Sequence, residues 1–195
     1  MNKFICLGAH NGGAVKTLDK MNTEEVLGIK ELIWDEIHLF EPQPHHKEAL
    51  ETLQQEDSRV VYYPNAAYIE DTELDFYIRG VGSNGFVGST VDKGKHTGTS
   101  VKTVTVEGID FVKWLEKNTT SDDFVYLDMD IECAEYLLLP RIIESEVGSR
   151  INFISVEWHP DKSKTWEGQQ EIIRDRAETY FGSRLLPHTK IFGWL

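Results

Sequence analysis

The stretch Phe4-Ile5-Cys6-Leu7-Gly8-Ala9-His10-Asn11-Gly12-Gly13 decides the fold. Four apolar residues running into glycine read as a short strand buried on both faces. The glycine-rich turn after it lets the backbone come close to a ligand, and the amides opening the next helix can receive an anionic group. The spacing is not the Gly-x-Gly-x-x-Gly of dinucleotide-binding turns. A plain strand-to-helix turn is the competing reading.

Outward from this unit, strands and helices alternate. The pattern predicts a helix over 21–33, with Asn22 or Thr23 as N-cap, and a strand over 36–40 stopped by Glu41-Pro42. A helix over 44–55 and a strand over 59–63 follow, then a hairpin of 66–69 and 74–78 turning at Glu70-Asp71-Thr72. Residues 80–100, with six glycines, read as one long loop, and loops of that length are usually functional or disordered. Next come a strand over 101–106, a helix over 109–117, a strand over 124–129 and a helix over 134–143 that Pro140 kinks or restarts. A strand over 151–158, a helix over 166–181 and a strand over 189–195 complete the series. Strands separated by helices predict an α/β fold: a three-layer, doubly wound, Rossmann-like and mostly parallel sheet with helices on both faces. With no repeat or linker, residues 1–195 form a single domain.

The composition agrees with a packed core: five Trp, seven Tyr and nine Phe among 195 residues, 40% hydrophobic. Against 20 Lys+Arg stand 33 Asp+Glu, a net charge of −13. That excess argues against non-specific binding to nucleic acid or an anionic membrane. No stretch resembles a signal peptide's apolar region and none is long enough to span a bilayer. With only two cysteines, Cys6 and Cys133, the expectation is a cytoplasmic, reducing environment.

Three further signals lie at predicted strand ends. Glu41 follows the second strand, where an acid in a doubly wound fold can accept both ribose hydroxyls of a nucleoside; a solvated loop acid is the plain alternative. In Asp128-Met129-Asp130-Ile131-Glu132-Cys133-Ala134-Glu135 several carboxylates leave a buried strand and open a helix. Such crowding raises each acid's pKa unless a cation, a cationic ligand or a helix N-terminus offsets it; helix capping by Asp130 or Glu132 would explain part of the cluster. His159, in Glu157-Trp158-His159-Pro160, can act as a general base or a substrate contact, or simply sit in a turn. His45-His46 reads as surface.

Taken in order, Gly8-Ala9-His10-Asn11-Gly12, Phe40-Glu41-Pro42, Asn65-Ala66-Ala67, Gly88-Ser89-Thr90, Met129-Asp130-Ile131-Glu132 with Ala134-Glu135, and Val156-Glu157-Trp158-His159 resemble the FkbM-type methyltransferases. These are a branch of the class I enzymes that use S-adenosylmethionine. The resemblance implies that Gly8, Ala9, His10, Asn11 and Gly12 wrap the cofactor's methionine part and that Glu41, beside Pro42, binds its ribose. It puts Asn65 and Ala66 beside the adenine, Asp128 with the cofactor residues, and Asp130 and Glu132 where the methyl group leaves sulfur. Asp130 or His159 would take the proton of a hydroxyl on a sugar, glycan or small metabolite; no residue is assigned to a metal. The 80–100 loop would be a lid over the acceptor. Three positions depart from the family pattern: Cys6 where an acid is usual, Cys133 where glycine is usual, and Asp128 where Lys is common.

Two other functions fit parts of the sequence. Asp128-x-Asp130 resembles the element with which nucleotide-sugar glycosyltransferases hold Mg²⁺ or Mn²⁺, but that leaves the glycine turn and Glu41 unexplained. A methyltransferase fold that binds without turnover is the other.

Overall fold

The computed structural model describes residues 1–79, 88–96, 101–160 and 162–188. Six parallel strands form the main sheet: β1 (Asn2–Leu7), β2 (Glu36–Phe40), β3 (Val60–Tyr63), β7 (Phe124–Met129), β8 (Ile151–Val156) and β9 (Leu185–Pro187), in the order β3-β2-β1-β7-β8-β9. The helices are α1 (Gly13–Leu18), α2 (Thr23–Leu27), α3 (Lys47–Glu56), α4 (Phe111–Asn118), α5 (Glu135–Glu144) and α6 (Gln170–Phe181). A smaller sheet contains β4 (Ala66–Tyr68), β5 (Thr72–Arg79) and β6 (Val101–Asp110).

The apolar runs explain the main sheet. In β1 and β7 all but the first residue is buried, as expected of strands covered on both faces. Ile5 and Leu7 face a core shared with Phe111 and Leu115 of α4, Leu138 and Ile142 of α5, and Phe181 of α6. Phe4 and Cys6 point the other way, to Val15 of α1, Leu27 of α2 and Leu50 of α3. Helices therefore flank the sheet on both faces, a mixed α/β arrangement consistent with a Rossmann-like fold. The chain winds outward through β2 and β3 on one side of β1, and through β8 and β9 on the far side of β7. The order reverses between β1 and β7, and at such a reversal the loops beyond the strand ends diverge and leave a crevice.

Several elements differ from the periodicity. The 21–33 helix stops at Leu27, because Gly28 takes a left-handed conformation (φ 70°) as its C-cap; Asn22 caps the start by accepting from the Glu25 amide. The predicted hairpin does not form. β4 pairs in parallel with β6, and β5 pairs antiparallel with β6, so the ten-residue β6 lies between them. The 109–117 helix begins at Phe111, with Asp110 accepting from the Lys113 amide at its N-cap. The 151–158 strand ends at Val156, the 166–181 helix begins at Gln170, and α5 runs through Pro140 as one helix. The predicted 189–195 strand lies outside the described residues, as do 80–87 and 97–100 of the long loop. Three-residue β9, too short to register as a periodic signal, occupies the sheet edge.

A candidate active site at the strand ends

Gly8 closes the end of β1. Its amide and that of Ala9 donate to Phe40 O at 2.9 and 3.0 Å, tying the turn to β2. At φ 86° any Cβ would overlap the carbonyl oxygen of Asp130, so only glycine allows the end of β7 to approach this closely. Gly12 (φ 81°) is confined similarly, with Leu53 Cδ2 2.6 Å from where a Cβ would sit. Asn11 turns its side chain onto the Gly13 amide (3.2 Å) and Ala9 is buried in the core. Only Gly8 and His10 of the five turn residues face the neighbouring cavity.

That cavity encloses about 900 Å³ of space outside protein atoms, part of it open to solvent, within the range of small-molecule sites. Glu41, 7% exposed, lines it. One carboxylate oxygen accepts from the His10 amide and the other from the Gln43 amide, both at 2.9 Å. Burial pushes this carboxyl up to about 7, against the pull of the two amides. Pro42 and Ala66 are in the wall with Phe40, Ala67 and Phe76, whereas Asn65 reaches Glu107 at 3.4 Å. The surface reading of His46 is overturned: it is 5% exposed, lines the cavity and lies 3.9 Å from the His10 ring, centroid to centroid. Pro44 and the one-turn segment it opens fold this side chain inward, while His45 stays exposed. Burial, then His10 and His45, lower the His46 pKa to about 4. Side-chain nitrogens of His10, Gln43 and His46 are buried here with no hydrogen-bond partner.

At the other end of the cavity stand Asp130 and Glu132. Burial, then Glu157, raises Asp130 to about 7, with His159 working in the opposite sense. Behind them His159 is 1% exposed. Its Nδ1 lies 3.0 Å from Glu135 Oε1, and its Nε2 is 3.2 Å from Glu132 and 3.6 Å from both Asp130 and Glu157. His159 is not in the cavity wall; it supports the carboxylates that are. Asp128 does not reach the cavity either. It pairs in register with Cys6, accepts hydrogen bonds from the Cys6 thiol and the Ser155 hydroxyl, and burial raises it to about 8. Cys6 and Asp128, two positions where the resemblance implies other residues, are thus contacts of each other. Cys133, the third, has φ 83° and follows Glu132 at φ 54°. This is backbone that glycine adopts freely and a side chain makes costly, by about 1–2 kcal/mol per residue.

The described part of the long loop, 88–96, reaches the same end. Gly88 and Ser89 line the cavity, Thr90 Oγ1 donates to Glu132 O at 2.6 Å, and Lys95 contacts the Glu132 carboxylate. Burial lowers the Lys95 pKa to about 8. Sequence reasoning did not single out Lys95, Gln43, Ser155 or His188. Glu135 stands in the acidic run, and nothing in that run signals that it turns inward to hold His159.

A parallel sheet reversing between β1 and β7, with a glycine turn and an acid at adjoining strand ends beside one cavity, is the arrangement of Rossmann-like α/β proteins. The sequence profile described as the methyltransferase FkbM domain matches residues 7–181, and the chain belongs to that methyltransferase family. Neither the curated proteins nor the solved structures returned a match.

Proposed function

We propose that the protein is an S-adenosylmethionine-dependent O-methyltransferase whose acceptor is a hydroxyl of a sugar, glycan or small metabolite, and that it works in the cytoplasm. The observation that carries the reading is the single cavity spanning from Glu41 to Asp130 beneath Gly8. It joins the nucleoside-type end of the site to the carboxylate end. Its chemistry fits the cofactor: buried, unpartnered nitrogens and a polar carboxylate at one end, negative charge at the other, and an apolar wall of Pro42, Ala66 and Phe76 suited to a flat base.

S-adenosylmethionine supplies a methyl group on a sulfonium, so the protein's task is chiefly to position the acceptor. Glu41 keeps unused lone pairs on both oxygens, available to ribose hydroxyls. Gly8 holds the end of β7 against the turn, which brings Asp130 to the cavity. Asp130 then accepts the acceptor hydroxyl's proton; a pKa near 7 suits a base working at neutral pH. His159, anchored by Glu135, positions Asp130 and Glu132. No described helix is long and apolar enough to cross a membrane.

A melting-temperature assay tests the reading. S-adenosylmethionine and its demethylated product should each raise the midpoint, since a ligand bound only by the native state stabilises it. Turnover with hydroxyl acceptors should then fall about 10²–10⁴-fold in Asp130→Asn with product binding retained. A shift with a nucleotide sugar plus Mn²⁺ but not with S-adenosylmethionine would overturn the proposal.

A further inference from the structure

The cluster behind the cavity holds a histidine in an unusual state. His159 is 1% exposed, and its Nε2 makes no hydrogen bond although three carboxylates surround it. Its other nitrogen is fixed: Nδ1 faces Glu135 Oε1 at 3.0 Å, and Glu135, wholly buried, is itself held by the amides of Cys133 (2.8 Å) and His159 (3.2 Å). In the tautomer whose proton sits on Nδ1, facing Glu135, Nε2 offers its lone pair to a ligand. This carboxylate–histidine pairing is the arrangement that orients imidazoles toward metal ions.

Nε2 faces Asp130 Oδ1, which is also buried without a hydrogen bond, and Glu132 Oε2. The three atoms lie within 4.8 Å of one another, with Nε2 at 3.2 and 3.6 Å from the two oxygens. Ligand atoms about 2.1 Å from a cation and at right angles to each other are roughly 3 Å apart, so little movement would seat an ion. We propose that Asp130, Glu132 and His159 form a binding site for a divalent transition-metal cation, with Glu135 orienting the histidine. One nitrogen and two oxygens suit Mn²⁺, Fe²⁺ or Zn²⁺ better than Mg²⁺. A neighbouring trio, Asp130, Glu157 and His188, shares Asp130, but His188 already spans Asp128 and Glu157 at 3.5 and 3.4 Å. Lys95 contacts Glu132 and so competes with the cation for that carboxylate. In the methyltransferase reading, on which this part of the inference rests, an open position on the cation would take the acceptor's oxygen.

Binding is measured without cofactor or acceptor, so its outcome is separate from that of the methyltransferase reading. The full chain, stripped with a chelator, is titrated with Mn²⁺ and followed by the electron paramagnetic resonance of free Mn²⁺ and by melting temperature. One Mn²⁺ per chain is expected, with a pulsed-resonance nitrogen coupling from a single imidazole. Glu135→Gln should weaken binding roughly 10–100-fold, and His159→Gln should abolish the nitrogen coupling. Wild-type protein that binds no Mn²⁺, binds it without nitrogen coupling, or exchanges it for Mg²⁺ at equal concentration would overturn the site. Because the coupling is read on the wild-type chain, a variant that fails to fold leaves the test intact.

Discussion

At Gly8 a hydrogen atom in place of a methyl group is what lets two strand ends meet. Gly8→Ala forces a side chain into left-handed backbone and against Asp130 O. The expected cost is roughly 2–3 kcal/mol, or about 4–12 °C in melting temperature for a chain of this size, with binding of the demethylated cofactor lost at temperatures where the variant is still folded. Glu41 makes a prediction in pH. Folding raises its carboxyl from 4.5 to about 7, so the native state binds this proton more tightly than the unfolded chain. Its contribution to stability is full below pH 4.5 and is lost as pH climbs through about 7. Glu41→Gln lacks this dependence. Urea unfolding from pH 4.5 to 8 should therefore show the variant gaining on wild type as pH rises, by up to about 3 kcal/mol; parallel stability curves would refute the buried carboxyl's role. Gly8, Glu41 and Asp130 were legible in the sequence because each stands where a strand gives way to a turn. His46 was not, since a histidine in an exposed-looking helix start carries no sign that Pro44 will turn it inward. Asp128 and His159 also stand at strand ends, but nothing in the sequence shows that they lie behind the cavity wall and not in it.

Among the elements, the main-sheet strands were readable because continuous apolar runs have few alternatives to a buried strand. The smaller sheet departs from the local pattern. Two short runs near each other in sequence look like a hairpin, yet β6 offers a longer alternating partner to both, and ladder length outweighed proximity. The apolar stripe continues past the end of α2 at Gly28: Ile29 and Leu32 pack on the core, but from irregular chain. Segment 88–96 attaches to the site by Thr90 and Lys95 on Glu132, and to β5 by reciprocal Tyr77–Thr90 backbone bonds of 2.8 and 3.1 Å. Lys95→Met removes the charged tether and leaves Glu132 without its ammonium. Amide exchange at Tyr77 and Thr90 should speed up on the order of tenfold, as expected for losing roughly 1–2 kcal/mol of local protection, while exchange in β1 and β7 stays unchanged. Uniform acceleration through the sheet would mean that Lys95 supports the global fold instead.

For the molecule as a whole, the net charge of −13 acts on ligands before they touch it. S-adenosylmethionine is cationic at neutral pH and its demethylated product is neutral overall, so the field should attract the first and ignore the second. Stopped-flow association of S-adenosylmethionine should slow as ionic strength rises from about 0.01 to 0.15 M, over which the screening length shortens from about 30 to 8 Å, and association of the product should not. Equal salt dependence for the two would show that the acid excess serves solvation alone. The sheet order also gives the site its span: the reversal between β1 and β7 brings residues 8, 41 and 130 to one cavity. Alternation of strands and helices announces such a sheet, but which strand neighbours which depends on pairings that no local pattern contains.

The contact between Cys6 and Asp128 couples two positions far apart in sequence. They face each other across one rung, with the thiol 3.7 Å from the carboxylate, so a change at either alters the surroundings of the other. An acid at 6 would bury a second carboxyl against Asp128, whose ionisation burial already disfavours. A lysine at 128 would put an ammonium beside the thiol and near the Asp130 and Glu157 carboxylates, and an acid at 6 would then be paired with it. The effect of a substitution at one site therefore depends on the residue at the other, a dependence built into the register of β1 on β7.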